Sequence, residues 1–349
     1  MLKLIRRYST NTILRDKIIK RVDYPLSKCR KILEKDTIGI IGYGPQGRGQ
    51  SLNLKDNGFN VIVGVRKGKS FDKALEDGWE EGKNLYSIEE TADKSNIIQY
   101  LLSDVGQMNK WDLINSYLRE NDMLYFSHGF GITFNKYTKI NPSKNIDVVL
   151  VAPKGAGITV RDHFVNGGGI NVSYAIHQDY TGFAKEKCLS LAFGIGCGHA
   201  FETTFDNEVY SDLTGERCVL MGIIQGAFKA QYDLLREKGH SQSEAYNETV
   251  EEALESLFPL ISANGMDWLY KNCSTTAQRG AIDWAPRFEK VLKPVIEECY
   301  ESVKSGREAK IVLESNNRDD YREQLNKEID EIDSQEIWQV AKELRKYRP

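Results

Sequence analysis

The sequence predicts an α/β fold in which a doubly wound N-terminal domain is followed by an all-α C-terminal domain. Three observations lead to this prediction. Short, continuous apolar runs alternate with helix-like segments from about residue 35 to residue 205. A glycine-rich turn joins the first apolar run to the first helix-like segment. After about residue 206, β-rich runs become rare and long helical segments replace them.

The apolar runs of the first half are the candidate strands. Continuous runs separated by helical lengths are typical of a parallel sheet covered on both faces. Five strands are expected, with two weaker candidates after them: residues 38–41, 61–65, 96–102, 123–126 and 147–151, then 170–175 and 198–203.

The first candidate strand runs directly into Gly42-x-Gly44-x-x-Gly47, and a second strand follows the next helix. In such a unit the first glycine permits a tight turn and the second lets a pyrophosphate approach the backbone. The third lets the helix pack close to the strand. The N-terminus of that helix, around Gln46, offers N–H groups and a positive dipole end. This context predicts a Rossmann-type dinucleotide-binding domain rather than a purely structural turn.

The end of the second strand indicates which dinucleotide is bound. NAD-binding folds usually carry Asp or Glu there, about 20 residues past the glycines, to hold the ribose hydroxyls. This chain has Arg66-Lys67-Gly68-Lys69-Ser70 instead. Cations and a hydroxyl donor suit a 2′-phosphate, so we expect NADP(H), with Arg66, Lys67 and Ser70 as contacts. The alternative is a solvated basic turn.

Composition excludes several classes of function. A chain of 349 residues can form two domains, and a net charge of −3 gives no general attraction to nucleic acid or membrane. No apolar stretch reaches the roughly 18 to 20 residues of a membrane span. The six cysteines form no CxxC pair and the five histidines form no paired motif. Any metal site is therefore expected to consist of carboxylates.

The C-terminal half should be helical. Five long segments have helical character: residues 212–238, 241–264, 275–280, 284–304 and 319–345. We therefore divide the chain into residues 1–22 (a transit peptide or N-terminal arm), 23–205 (the NADPH-binding domain) and 206–349 (a helical domain for metal, substrate and dimerisation).

The N-terminus resembles a short organelle transit peptide. It has cations, hydroxyls and alternating apolar residues, and its first acidic residue is Asp16. The expected location is the matrix of a mitochondrion or related organelle. The alternative is the basic N-terminal arm of a cytoplasmic protein.

Asp212 and Glu216 lie four residues apart and would share one face of a helix. That face continues through Val219, Leu220 and Ile223, so the helix is expected to be apolar on the side of the carboxylates. Carboxylates on such a face need cations or donors. With oxygen ligands only, Mg²⁺ is the expected ion. The alternative is two ordinary acids near a helix start.

Glu248 and Glu252 form a second pair with the same spacing, but the apolar stripe through Val250, Leu254 and Leu257 lies roughly opposite them. Periodicity alone predicts that this pair is solvated, unless another element or subunit covers it. Ser274 stands where a helix cap is expected.

His128 and Lys154 follow two candidate strands. The carboxyl ends of parallel strands face the ligand crevice, so both side chains are placed to meet nicotinamide or substrate.

Taken together, these segments resemble the ketol-acid reductoisomerase (acetohydroxy-acid isomeroreductase) family, in its class I short form, which is close to the type found in fungal mitochondria and some bacteria. The matching stretches occur in order past about residue 22: IGYGPQGRGQSLNLKDNGFNVIVGVRKGKS, LYFSHGF, VAPKGAG, SDLTGER, NETVEEA, CSTTAQRGAIDW and EIWQVAKELRKYRP.

The resemblance implies roles for individual residues. Asp212 and Glu216 match the ligands of two Mg²⁺ ions, and Glu248 and Glu252 match a motif that reaches the active site from the partner subunit. The resemblance thus reverses the local interpretation of the second pair. It also implies a homodimer or higher oligomer with a shared site.

Further matches concern substrate and cofactor. Ser274 matches a substrate contact, Lys154 a lysine near the metal-bound water, and His128 a histidine beside substrate and nicotinamide. Arg66 and Ser70 match the 2′-phosphate loop, whereas Lys67 and Lys69 are expected there from their charge.

The implied reaction acts on small 2-hydroxy-3-keto acids. In 2-acetolactate a methyl group migrates, in 2-aceto-2-hydroxybutyrate an ethyl group, and NADPH then reduces the new ketone. Two Mg²⁺ ions can stabilise the oxyanions of such a step. Glu252 is expected to bind the substrate hydroxyl, and the base is either Glu216 or a metal-bound hydroxide.

Two alternatives stay open at this point. One is a metal-independent, NADP-linked dehydrogenase of β-hydroxy acids, centred on a lysine. The other is a non-enzymatic protein that keeps the nucleotide-binding fold for partner binding.

Overall fold

The computed structural model describes residues 16–348, which divide into two compact units between Val209 and Tyr210. The sequence predicts this boundary between residues 205 and 206. Of the expected leader, residues 1–15 lie outside the described residues. Residues 18–20 form a short strand, so this part of the segment joins the first unit.

The first unit contains a nine-stranded sheet in the order β1-β9-β8-β7-β6-β5-β2-β3-β4. The strands are β1 Ile18–Lys20, β2 Ile38–Ile41, β3 Val61–Gly64, β4 Leu85–Tyr86, β5 Ile97–Tyr100, β6 Met123–Phe126, β7 Asp147–Pro153, β8 Val172–Gln178 and β9 His199–Glu202.

The predicted doubly wound α/β fold is confirmed, but the sheet is mixed. β2 to β7 pair in parallel, as expected. β8 runs antiparallel to β7, β9 is parallel to β8, and β1 is antiparallel to β9. The expected parallel pairing therefore holds for β2 to β7 but not for the β7–β8 and β1–β9 pairs, because a continuous apolar run reports burial on both faces and carries no information on strand direction.

Helices cover both faces of this sheet. Ile38 and Ile40 pack into one core cluster and Ile41 into the other, which explains why the run is apolar at every position. The helices are α1 Leu26–Ile32, α2 Pro45–Asp56, α3 Lys69–Glu76, α4 Ile88–Lys94, α5 Asp104–Tyr117, α6 Phe130–Thr133, α7 Asn135–Thr138, α8 Gly157–Val165 and α9 Ala184–Gly194.

The second unit is helical, as predicted. α10 Phe205–Gly215 begins in the first unit and continues into the second. Its further helices are α11 Gly222–Glu237, α12 Gln242–Tyr246, α13 Phe258–Asn264, α14 Met266–Asn272, α15 Thr275–Ser305, α16 Arg307–Asn316, α17 Tyr321–Asp333 and α18 Glu336–Arg345. Three π-helical turns interrupt them: Glu216–Leu220, Asn247–Glu251 and Ala253–Leu257.

Helix boundaries differ from the prediction in three places. The segment 212–238 is not one helix, because Cys218 leaves helical geometry with φ −97° and ψ −111°. Segments 275–280 and 284–304 are one helix, α15, which contains Pro286 and Pro294. Both prolines are exposed, so the carbonyls that they release can bond to water. The segment 319–345 breaks at Gln335, whose backbone is extended.

The helical unit has a small core and an exposed apolar face. Tyr232, Tyr246 and Val250 pack against Ile337 and Ala341. On α15, four large side chains spaced at helical intervals are 54–62% exposed: Trp284, Phe288, Val291 and Val295. Among the helices of residues 16–348, none combines the length and apolar character needed to cross a membrane.

The glycine turn after β2 is closed by backbone contacts. Gly42 has φ +104°, a left-handed conformation that favours glycine, and its N–H donates to the Gly64 carbonyl at 3.0 Å. A Cβ on Gly47 would lie 2.1 Å from the Gly42 oxygen. The roles expected for these two glycines, the tight turn and the close helix contact, therefore have a direct steric cause.

We expect Gly47→Ala to lower the free energy of unfolding by about 1–3 kcal/mol, because the added methyl must displace α2 from the turn. Urea denaturation would measure this change. Gly44→Ser is the matched control, since a Cβ at Gly44 meets no atom within 4 Å and serine caps a helix at least as well as glycine. Equal stability of the two variants would contradict the steric account.

Candidate functional site

The N-terminus of α2 is open toward the carboxyl edge of the sheet. Gly44 is its N-cap, with extended backbone and no side-chain cap, and Pro45 is the first helical residue. The first-turn N–H groups therefore point to a position that no side chain of the turn occupies. Because a Cβ at Gly44 would meet nothing within 4 Å, a ligand can approach this backbone closely.

Beside this turn lies a cleft of about 390 Å³, lined on one side by Gly42 and Gly44 and on the other by the basic loop. Residues 66–70 of the loop are all exposed and all line the cleft. Gly68 has φ +128° and is the N-cap of α3, so Lys69 and Ser70 lie in the first turn of that helix. The cleft is thus lined by the cations of Arg66, Lys67 and Lys69 and by the Ser70 hydroxyl, beside the N–H groups of the first turn of α3. This set of donors suits a phosphate.

Lys67 has a partner of its own in this loop. Its ammonium lies 2.5 Å from the Glu81 carboxylate and 3.7 Å from the centre of the Phe71 ring. Both members of the ion pair are mostly exposed, so the pair is weak.

A buried hydrogen-bond network links the glycine turn to the loop after β6. Gln50 is fully buried and donates to Gln46 Oε1 at 2.9 Å and to Ser127 Oγ at 2.7 Å. The Tyr125 hydroxyl donates to Gln50 Oε1 at 2.7 Å. Gln46 lies at the helix N-terminus where we expect the dinucleotide, and its side chain is held by Gln50, one turn along α2.

His128 and Lys154 come together on Glu208, which the sequence interpretation had missed. His128 Nδ1 lies 3.1 Å from Glu208 Oε2, and the Gly129 N–H donates to the same oxygen at 2.9 Å. Lys154 Nζ lies 3.4 Å from Glu208 Oε1. Glu208 itself is only 2% exposed.

The electrostatics keep Glu208 ionised. Burial by itself raises the pKa of this carboxyl. The hydrogen bond from His128, the charges of His128 and Lys154, and the Gly129 N–H together hold the pKa below its ordinary value. A buried carboxylate therefore fixes the orientation of two side chains that follow different strands.

Glu208 could have been found by extending the carboxylate spacing backwards. It lies one helical turn before Asp212 and two turns before Glu216, so the three acids recur every four residues.

Asp212 and Glu216 occupy the end of α10 and the π-helical turn that follows. Asp212 is half-buried and Glu216 is exposed. The apolar face that we expected beyond them does not continue: Val219 and Leu220 are 58% and 65% exposed. The departure from helical geometry at Cys218 turns the chain before that face can form.

Glu248 and Glu252 are exposed, while Val250 between them is fully buried. Within one chain the pair is therefore solvated, as periodicity predicted. Ser274 caps α15, its hydroxyl accepting from the Ala277 N–H at 3.2 Å, so the expected helix cap is present.

Comparisons with known proteins agree across the length of the chain. The family model "Acetohydroxy acid isomeroreductase, NADPH-binding domain" matches residues 32–200, and "Ketol-acid reductoisomerase, C-terminal domain" matches residues 205–349. The mitochondrial ketol-acid reductoisomerase of Saccharomyces cerevisiae is 54% identical over 95% of this chain and 84% of its own. That of Neurospora crassa is 53% identical over 96% and 84%.

Two further relatives differ in the cofactor that they are named for. The ketol-acid reductoisomerase (NAD(+)) of Desulfosudis oleivorans is 51% identical over 96% of this chain and 95% of its own. The solved structure of an NADH-preferring ketol-acid reductoisomerase from an uncultured archean superposes with a TM-score of 0.83 at 30% identity, covering 95% of this chain and 98% of that one.

We expect Glu208→Gln to lower the free energy of unfolding by about 2 kcal/mol at pH 7, because charge-assisted hydrogen bonds to a buried group are lost. The folded-state pKa of Glu208 lies below its ordinary value. The ionised form therefore stabilises the fold fully when the pH is above the pKa of the unfolded chain. This stabilisation disappears as the pH falls through the folded-state pKa.

Urea denaturation of both proteins at pH 7 and near pH 3 would measure the effect, and the difference between them should shrink at the lower pH. Glu89→Gln, at an exposed position of α4, is the control. A difference that stays constant with pH would contradict the assignment of an ionised Glu208.

Proposed function

Because the chain belongs to the ketol-acid reductoisomerase family, we propose that it catalyses a Mg²⁺-dependent alkyl migration followed by reduction with NADPH. The substrates are 2-acetolactate and 2-aceto-2-hydroxybutyrate, and the products are 2,3-dihydroxy-3-methyl acids of branched-chain amino-acid synthesis. The observation that carries this proposal is the acidic pair Asp212 and Glu216 in a chain that also has the NADPH-binding domain of the family.

The cofactor of the reduction is NADPH rather than NADH. Relatives of both kinds exist, so the preference must come from this chain's own loop. Arg66, Lys69 and Ser70 line the cleft beside the glycine turn, and Lys67 adds a third cation. A 2′-phosphate would be attracted to these groups, whereas a 2′-hydroxyl would leave them to solvent.

The residues present also fit a magnesium site. Asp212 and Glu216 supply carboxylate oxygens one helical turn apart, and hard oxygen donors are the ligands that Mg²⁺ prefers. Glu248 and Glu252 supply the same chemistry from an exposed face. When bound, the metal ions supply Lewis acidity to the alkyl migration and NADPH supplies the hydride of the reduction.

The chain's own side chains position and move protons. Glu208 accepts from His128 Nδ1, so in the neutral ring Nε2 is the acceptor nitrogen, suited to receive a proton at the substrate. Lys154, held by the other oxygen of Glu208, places a positive charge where the substrate oxygens develop negative charge. Ser274 and Glu252 bind the substrate, and Glu216 is a candidate base.

Two copies of the chain form the catalytic unit. The exposed Glu248 and Glu252 then complete the metal site of the partner, and the apolar face of α15 is covered in the dimer. The same face left in water would be an exposed apolar patch, a feature that often marks an interaction site.

The proposed location is the mitochondrial matrix, supported by the mitochondrial names of the fungal relatives and by the basic, hydroxyl-rich residues 1–15. Mass spectrometry of the native N-terminus would identify a cleavage site.

We expect the dialysed protein to oxidise NADPH with 2-acetolactate only after Mg²⁺ is added. Asp212→Asn should lower kcat by at least about 10³-fold and leave the Kd for NADPH within about twofold, because it removes a metal ligand only. The same assay with NADH should give a kcat/KM lower by about tenfold or more, because the phosphate contacts are lost.

Full turnover in excess chelator would exclude the metal-dependent step. Loss of NADPH binding in Asp212→Asn would assign that residue a structural role instead.

We expect two inactive chains, Asp212→Asn and Glu252→Gln, to restore activity when they are coexpressed. If each site takes Asp212 from one chain and Glu252 from the other, a mixed dimer keeps one intact site and has about half the wild-type activity. Two different affinity tags would isolate the mixed dimer. A mixed dimer without activity would show that both residues serve the same chain's site.

A further inference from the structure

The turn that carries Glu216 is locally distinct from the helices around it. It is π-helical over Glu216–Leu220, departs from helical geometry at Cys218, and ends at Met221 with φ −136° and ψ −59°. A Cβ on Gly222 would lie 2.0 Å from the Arg217 oxygen, so the backbone of this turn packs closely against the start of α11. Turns of this kind frequently occur at functional sites and need contacts that hold them in place.

Arg217, the residue after Glu216, supplies such a contact. Its guanidinium donates through Nη1 to the Leu213 carbonyl at 3.2 Å, which lies in the last turn of α10. Its Nε donates to Glu308 Oε2 at 3.1 Å. One planar side chain thus ties the end of α10 and the π-helical turn to α16.

Glu308 is itself held on its other oxygen. The Ser302 hydroxyl donates to Glu308 Oε1 at 2.6 Å, from the last part of α15. Glu308 lies in the first turn of α16, where a negative charge is favoured by the helix dipole. Its side chain is 23% exposed and that of Arg217 is 26% exposed, so solvent screens the pair only in part.

We propose that Glu308 is a positioning residue for the metal site: acting through Arg217, it fixes the turn that presents Glu216. This inference rests on the proposed function, in which Glu216 ligates Mg²⁺. Glu308 touches neither substrate nor metal, and its contribution is the orientation of a ligand carboxylate that is otherwise exposed.

The test is the Mg²⁺ affinity of the full-length protein, measured by isothermal titration calorimetry with NADPH bound. Glu308→Gln should raise the Kd for Mg²⁺ by about tenfold, the lower end of the range for residues that support metal ligands. The Kd for NADPH, measured by nucleotide fluorescence, should stay within about twofold. Glu314→Gln is the matched control, since it removes an exposed carboxylate of the same helix.

A double-mutant cycle separates positioning from general destabilisation. If Glu308 acts through Arg217, the double variant Arg217→Gln/Glu308→Gln should bind Mg²⁺ no more weakly than Arg217→Gln alone. Additive losses would overturn the inference, and so would an unchanged Mg²⁺ affinity in Glu308→Gln or an equal loss in Glu314→Gln.

Two further outcomes are assigned in advance. If Glu308→Gln does not fold, Ser302→Ala removes one hydrogen bond from Glu308 and should raise the Kd for Mg²⁺ about threefold, and no change would overturn the inference. If the wild-type protein binds Mg²⁺ and these substitutions leave the Mg²⁺ affinity unchanged, this inference alone is refuted. Wild-type protein that binds no Mg²⁺ refutes the proposed metal site as well.

Discussion

The candidate site depends on one buried carboxylate. Glu208 is 2% exposed, and His128, Lys154 and the Gly129 N–H contact it and favour its ionised form. Loss of these contacts would remove compensation from a buried charge, and a buried charge that lacks compensation costs several kcal/mol. The loops after β6 and β7 are therefore coupled, because a movement of either loop removes contacts from the same Glu208 carboxylate. The sheet determines where both loops begin, and Glu208 determines how the side chains of His128 and Lys154 are oriented.

The same principle of fixed charges extends to the other parts of the proposed chemistry. Helix N–H groups and cations serve an anionic cofactor at the glycine turn, whereas carboxylates serve cations at the end of α10. Each region thus carries the charge opposite to that of its proposed ligand, so that each binds its own ligand and repels the other's. The Arg217–Glu308 pair adds the orientation of one ligand to this scheme.

Much of the fold could be predicted from the sequence because the signals were local. The apolar runs identified strands β2, β3, β5, β6 and β7, and the glycine spacing identified the turn whose steric demands at Gly42 and Gly47 the structure confirms. The direction of β8 could not be predicted, because burial on both faces is independent of direction. The break at Cys218 was missed because the residue types there are compatible with a helix, and contacts distant in sequence determine the geometry.

The site was predicted less completely, for related reasons. His128 and Lys154 could be placed by topology, but their common partner Glu208 lies 54 residues or more along the chain, and no local pattern joins them. Glu248 and Glu252 illustrate the opposite case. Periodicity correctly described their exposure within one chain, and only the family resemblance predicts a role for them in the site of a partner subunit. Hydrophobic periodicity reports burial within one chain and carries no information about a second subunit.

The exposed basic loop beside the glycine turn has a consequence for how the two parts of a dinucleotide are recognised. The charges of Arg66, Lys67 and Lys69 act through water, where at physiological ionic strength attraction fades beyond about 8 Å. The hydrogen bonds offered by the first turn of α2 are short-ranged, so dissolved ions screen them less. Changes in ionic strength would therefore act more strongly on the discrimination between the two nicotinamide cofactors than on the recognition of their common pyrophosphate. The selectivity of this protein is, in that sense, a property of its solution as well as of its sequence.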